Sequence, residues 1–439
     1  MATRDKVACV LCGGGISGAM YEIGVMTALA DYLGPDWTLR DADLFVGTSA
    51  GSIIAAVLAN DVHPAELMEA ILYDRNHPFN FKREDIFGFG LPEAISVLDT
   101  LRAGAASLIK DIARHHWRIT FDHIIRIIDE SLGSGLFTTE RLEDFIRRAL
   151  TSFGVSDRFQ DLPKKLLISA TNLDTGRYVL FGEGEWSDVP ISKAVAASCA
   201  IPIFYQPVRI KGVDFVDGGT AKVSYTKNAA GYGANVIIVV NPLIPVDNNA
   251  QQICIPTSKG NCGRISQLGM SRMVGQVMRI NNRVKLKLGL QRFQMMNPDV
   301  DLVLIQPRPR ETDIFLTNVM SFRSRRHMVH MGYCSTRALL DADPANYKQL
   351  FQRIIGAPPA KDFSRADQIH SLDADSARFC RLLSQLPVEK GFLLEETDFY
   401  GVRRRQLSLG RISDESVFSA GDVFRVQTAA PEKRTTPGA

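Results

Sequence analysis

The chain has 439 residues, more than one ordinary domain of about 100–200 residues, so a large decorated domain is expected. With 45% hydrophobic and 23% charged residues it can bury a sizeable core, which excludes collagen-like, low-complexity and wholly disordered classes. A net charge of +3, from 51 Lys+Arg against 48 Asp+Glu, lacks the basic bias of a dedicated nucleic-acid binder.

Read from the start, the chain enters an apolar segment after a few residues, and glycines follow at once. A signal peptide needs a longer apolar run and a small-residue cleavage site. The longest nearly apolar stretch, Leu44–Ala59, is too short to span a membrane and contains Gly47, Thr48, Ser49, Gly51 and Ser52. The expectation is a soluble, cytoplasmic protein with no signal peptide or transmembrane helix, at most peripheral at a membrane. Seven scattered cysteines argue against a disulfide scaffold. Cys9 and Cys12 have C-x-x-C spacing, but they lie in an apolar run and no second such pair exists. Buried thiols are the better reading than redox or zinc chemistry.

Residues 6–12 read as a buried strand, 19–33 as a helix with apolar residues at helical spacing, 43–48 as a second strand and 50–60 as a buried helix. Residues 61–135 are less regular. Within them Leu108–Ile128 interleaves isoleucines and Trp117 with Lys110, Arg114, Arg118 and Arg126. Residues 138–150 open with Thr139 ahead of acidic residues, a helix-start signal. Strands return at 164–173 and 177–181, joined by the turn Asp174-Thr175-Gly176. Residues 191–200 read as a helix ended by Pro202, and 215–219 as a short strand entering a turn. Strands at 235–240 and 300–307 have a helix between them. This alternation predicts an α/β fold with a mainly parallel sheet. The basic stretch Arg272–Arg292, lying between two of those strands, is expected to be core scaffold. After about 340 the chain turns helical and polar, and 426–439 reads as a disordered tail.

Three motifs carry chemistry. Gly13-Gly14-Gly15-Ile16-Ser17-Gly18 lies between a strand and a helix and fits G-x-G-x-x-G, a dinucleotide fingerprint that is weak by itself. Such a turn offers several N–H groups at a helix N-terminus, for a phosphate or for the negative oxygen of a reaction intermediate. Gly47-Thr48-Ser49-Ala50-Gly51 fits G-x-S-x-G, flanked by an apolar strand and an apolar helix. That strand–turn–helix setting is the one a nucleophile elbow uses. A serine needs a base. Eight histidines are available (His63, His77, His115, His116, His123, His327, His330 and His370), and none follows a strand in a short loop as a triad histidine does. The better base is Asp217 in Val216-Asp217-Gly218-Gly219, although an Asp-Gly turn alone is commonplace and Asp214 competes.

In this order the three motifs resemble the patatin-like phospholipase family. The stretches Ala170–Gly176, Ala197–Pro202 and Pro207-Val208 support the likeness, which covers roughly residues 5–340. The resemblance implies a three-layer α/β/α fold with a helical cap insertion. It implies a Ser49–Asp217 dyad that cleaves lipid esters through an acyl-enzyme, without metal or cofactor. Its oxyanion hole would draw on Gly13, Gly14, Gly15, Gly18 and Ala50, its elbow on Gly47 and Gly51, and its Asp-Gly-Gly motif on Gly218 and Gly219. Many members have Arg or Lys where this chain has Ser17, which bears on substrate charge preference.

The expected organisation is a hydrolase domain at 1–340 with a cap at 61–135, a helical extension at 341–425 and the tail. Residues 105–128 are a candidate lid or interfacial helix for anionic lipid. Nothing in the sequence sets the oligomeric state. A competing oxidoreductase would need an acidic residue ending the second strand, where this chain has Ser49. An acyltransferase or a non-catalytic lipid-binding relative is the other alternative.

Overall fold

The structure, a computed structural model, describes residues 5–35, 41–86, 137–154, 156–246, 263–307, 320–363, 365 and 402–403. Strand β1 (Val7–Leu11) feeds helix α1 (Gly15–Leu33), and strand β2 (Leu44–Thr48) feeds helix α2 (Ala50–Ala59). Helix α1 starts four residues before the expected 19, because the second half of the glycine motif winds its first turn. Next come α3 (Pro64–Leu72) and α4 (Glu140–Ser152), whose N-cap Thr139 makes no side-chain capping bond. Strands β3 (Lys165–Asn172) and β4 (Tyr178–Phe181) form the expected antiparallel pair. In their turn Asn172 Oδ1 accepts from the N–H groups of Asp174 and Thr175, each at 3.1 Å. Helix α5 (Ile191–Ser198) leads into β5 (Val208–Ile210) and β6 (Val213–Asp217). This hairpin was not expected, because three-residue β5 is too short to show alternation. Strand β7 (Val236–Val240), the long helix α6 (Met270–Met296) and β8 (Asp301–Ile305) follow, then α7 (Arg325–Ala342), α8 (Pro344–Ile355) and β9 (Val402–Arg403).

One sheet runs in the order β5-β6-β3-β2-β1-β7-β8-β9, with β4 also on β3. Its centre, β3-β2-β1-β7-β8, is parallel. Alternate residues face opposite layers, as strand pleating demands. Val7, Cys9 and Leu11 join a core with α1, α2, α5, α7 and α8. Ala8, Val10 and Cys12 join a second core with Leu286, Leu290 and Phe293 of α6. Helices thus cover both faces, giving a three-layer α/β/α fold. This is why the central strands read as unbroken apolar runs instead of alternating ones.

Helix α1 is buried along its whole length. It crosses α7 where glycines meet backbone: a Cβ on Gly24 would lie 1.9 Å from Val329 O, and one on Gly332 2.1 Å from Tyr21 O. Buried Asp31 of α1 accepts from Tyr333 Oη at 2.7 Å and pairs with Arg365. Helix α8 joins the same core through Tyr347, Leu350, Phe351 and Ile354, and its Arg353 pairs with buried Asp301 of β8.

Of the expected cap, residues 87–135 lie outside the described residues, and with them the candidate interfacial helix 105–128. Most of 341–425 and the tail 426–439 lie outside them too. The expectation for Arg272–Arg292 needs correction. Helix α6 packs one face on the sheet through Leu286, Leu290 and Phe293, yet leaves Val277, Ile280, Val284 and Leu288 about half exposed. Its position between two strands fixed the core face and hid the apolar face opposite it.

Candidate active site

Three chain segments end at the carboxyl side of the parallel strands and converge there. The first is the serine turn. Ser49 joins β2 to α2 with φ 54° and ψ −137°, on the left-handed side that side chains other than glycine rarely adopt. Hydrogen bonds hold it: Ser49 N–H donates to Ser198 Oγ at 2.8 Å, and Ser52 Oγ donates to Ser49 O at 2.6 Å. Gly47 lies in β2 two residues before the turn, and Ala50 and Gly51 begin α2.

The second segment is the aspartate turn. Sequence separates Ser49 from Asp217 widely, and strand register removes that distance. Thr48 pairs with Ser169 across β2 and β3, while Ala170 pairs with Asp217 across β3 and β6. Hydroxyls reinforce this: Thr48 Oγ1 lies 2.8 Å from Ser169 Oγ, and Thr171 Oγ1 donates to Asp217 O at 3.0 Å. Gly218 and Gly219 follow in a short 3₁₀ turn, with Gly219 N–H donating to Asp217 Oδ1 at 2.8 Å. Burial pushes Asp217 up to about 6, against the opposing pull of the Ser49 hydroxyl, Gly219 N–H and Lys285. Asp217 Oδ2 is buried without a hydrogen bond of ordinary geometry, although Ser49 is close enough to stabilise the ionised acid. Such pairs commonly tighten only when substrate binds. The competitor Asp214, three residues earlier, points to the opposite face and pairs with exposed Arg209 at 2.6 Å, which holds its carboxyl below the usual range.

The third segment is the glycine turn. Gly13, Gly14 and Gly15 have φ of 74°, 126° and 64°, and Gly18 completes the first turn of α1. The turn lies against the serine turn: a Cβ on Gly13 would stand 2.9 Å from Ser49 Cβ and 3.1 Å from Ala50 N. Helices α1 and α2 therefore both begin at this point. First-turn N–H groups have no acceptor within their helix, and both N-termini favour negative charge. Ser17, the departure from the family pattern, is buried in the first turn of α1.

Three contributing residues escaped the sequence reading. Ser198 sat in a stretch that resembles the family, but nothing marked its hydroxyl as the acceptor for Ser49. Lys285 Nζ donates to Gly219 O at 3.3 Å and Thr220 O at 2.9 Å from a helix assigned to scaffold. Glu22 lies fully buried in α1, where its Oε1 accepts from Gly13 N–H at 2.8 Å and so fixes the glycine turn from beneath. A charged residue inside an apolar helical run was the one available signal.

Burial pushes Glu22 up to about 8 from its usual 4.5, against the pull of the Gly13 and Cys12 N–H groups. A carboxyl raised by folding stabilises the protein fully below its unfolded value, and that contribution is lost as pH climbs through the folded value. Between pH 5 and 9 Glu22 is expected to withdraw on the order of 3–5 kcal/mol. Glu22→Gln should flatten that decline in urea melts at pH 5, 7 and 9, and parallel declines in the two proteins would refute it.

An apolar pocket opens at Ser49, walled by Ile16, Met20 and Ile23 of α1, Ile53, Ile54 and Val57 of α2, and Phe79, Phe81 and Met320. Of the histidines, His63 caps α3 by accepting from Ala65 N–H at 3.1 Å, and His77 contacts Glu66 at 3.1 Å. His327 and His330 lie in α7, and the other four are outside the described residues. Cys9 and Cys12 are free and buried, and burial raises both thiols, as inert core cysteines require. Cys334 is disulfide-bonded.

Residues 9–226 match the family described as patatin-like phospholipase. The chain carries a patatin-like phospholipase domain. All three converging turns fall inside the matched residues, whereas α6 falls beyond them. The matched family is, in general, one of lipid acyl hydrolases. Among solved structures the chain is similar to VipD from Legionella pneumophila, at 13% identity and TM-score 0.32 over 91% of this chain and 78% of that one. The type III effector ExoU gives 14% identity and TM-score 0.31 over 90% of this chain. This chain spans 64% of that ExoU chain. The ExoU–SpcU complex from the type III secretion system of Pseudomonas aeruginosa gives 16% identity and TM-score 0.25, over 88% of this chain and 78% of that one. At these scores the likeness is loose, and family membership of the patatin-like domain rests on residues 9–226. Among the described residues no helix is long and apolar enough to cross a membrane.

Proposed function

We propose that the patatin-like domain is a serine lipid acyl hydrolase working through a Ser49–Asp217 dyad. The observation that carries this reading is a buried carboxylate beside a strained serine at the mouth of an apolar pocket. Asp217 takes the Ser49 proton as the hydroxyl attacks the ester carbonyl. The N–H groups of Gly14, Gly15 and Ala50 hold the tetrahedral oxyanion, with Gly13 and Gly18 shaping the turn that presents them. Asp217 then returns the proton to the leaving alcohol, the acyl chain resting in the pocket. Water, activated by the same carboxylate, releases the fatty acid from Ser49.

A base at about 6 is mostly ionised at neutral pH and still basic enough to accept a proton. The test is free fatty acid release from phospholipid, lysophospholipid and glyceride substrates, with a pH profile on a soluble short-chain ester. kcat/KM should rise about tenfold per pH unit below 6 and level off above it. No release from any lipid ester, or a profile flat across pH 5–7, would overturn the reading.

A further inference from the structure

The geometry points to helix α6 as the surface by which the protein docks on an anionic lipid bilayer, carrying the site to its substrate. This inference rests on the lipid-ester reading above. Helix α6 has two apolar faces. One packs on the sheet through Leu286, Leu290 and Phe293. The other holds Met273, Val277, Ile280, Val284, Leu288 and Met295, which are between 45% and 65% exposed. Spaced three or four residues apart over most of the helix, these side chains share one narrow stripe opposite the core. A contiguous exposed apolar stripe of that length marks an interaction surface.

Charge identifies the occupant. The helix contains six Lys or Arg residues and no Asp or Glu, in a chain whose net charge is only +3. At 100° per residue, Arg283 and Lys287 fall on one flank of the stripe and Arg292 on the other. An apolar stripe bordered by cations is the pattern of a helix lying in a membrane interface: apolar side chains enter the acyl boundary, and long basic ones stay with the phosphates. A second protein copy would bring the same flanking cations against these, so self-pairing is disfavoured.

Position links the surface to the site. Gln276 is bonded to the backbone of Val246, its Oε1 accepting from Val246 N–H at 3.1 Å and its Nε2 donating to Val246 O at 2.9 Å. Arg279 donates to Ile244 O at 3.2 Å. Leu243 of this same segment lies against the glycine turn, within 3.0 Å of where a Gly14 Cβ would stand. Further along, Lys285 holds the carbonyls of Gly219 and Thr220, next to Asp217. The helix thus braces two of the three turns and presents its free face away from them.

Sedimentation of the full chain with vesicles tests this. Vesicles of phosphatidylcholine with about 30% phosphatidylglycerol should carry down the wild type far better than pure phosphatidylcholine. The double variant Val277→Glu/Val284→Glu should bind the anionic vesicles at least tenfold more weakly. It should hydrolyse a soluble short-chain ester within about twofold of wild type and melt at the same temperature. Arg292→Glu should weaken binding to anionic vesicles alone. Wild type that stays in the supernatant overturns the proposal, as does a double variant that sediments unchanged. So does a wild-type dimer in light scattering that the double variant splits. Sedimentation needs no turnover, so an inert wild type that still binds vesicles would count against the hydrolase reading alone.

Discussion

Ser49→Ala is expected to lower hydrolysis of a short-chain ester by about 10⁴–10⁶-fold in kcat and to abolish labelling by a fluorophosphonate probe. The physical reason is the turn. The left-handed backbone of Ser49 presents its side chain at the β2–α2 junction, and among the described residues it is the one hydroxyl-bearing residue with a positive φ. Asp217→Asn keeps the shape and removes the base, so a loss of about 10²–10⁴-fold is expected. Stability separates this from misfolding. Folding raises the Asp217 carboxyl to about 6, so its ionised form costs stability above that pH. At pH 8 Asp217→Asn should therefore melt no lower than wild type while being nearly inactive, a trade common where sites store unfavourable charge. Probe labelling that survives in Ser49→Ala would refute the nucleophile assignment.

Gly13→Ala is the second large effect, and here folding and activity fall together. Gly13 has φ 74°, which an alanine adopts only with strain. Its new Cβ would lie 2.3 Å from Thr48 O, against a backbone pinned by the sheet on one side and the serine turn on the other. Relief requires the glycine turn to move away from Ser49, which also displaces the amides of Gly14 and Gly15. The expected cost is about 2–4 kcal/mol of stability. Misplacing the donors should cost a further 10²–10³-fold in kcat among molecules that still fold. Gly176→Ala serves as control, because its φ is 66° but nothing lies within 4 Å of the added Cβ. It should lose about 1 kcal/mol and no activity. Equal behaviour of the two variants in thermal melts and ester assays would show that the packing at Gly13 matters little.

Much of this was legible in the chain. The apolar runs at 6–12, 43–48, 235–240 and 300–307 became β1, β2, β7 and β8, because strands covered on both faces have no polar positions to interrupt them. The G-x-S-x-G and glycine-rich motifs announced tight turns, because close backbone approach and positive φ leave glycine as the residue that fits. What stayed hidden was non-local. The Asp-Gly-Gly motif favoured Asp217 over Asp214, but the physical reason lay out of sight: the two-residue strand repeat sends Asp214 to Arg209 at the surface and Asp217 to the side of Ser49. Glu22 and Ser198 read as ordinary helix residues until the fold set them under the glycine turn and beside the Ser49 amide. Helix α6 read as scaffold, because a period of 3.6 reveals an apolar face without saying whether a second one meets protein or solvent.

The sequence alone therefore determined the α/β class, the order of its elements and the three turns able to do chemistry, since those follow from local backbone sterics and hydrophobic period. Only the tertiary structure decided what brings Asp217 beside the serine, what buries it enough to raise its pKa, and which helix keeps an apolar face uncovered. Those outcomes depend on strand register and layer packing, which join residues far apart in the chain and leave no mark at any single position.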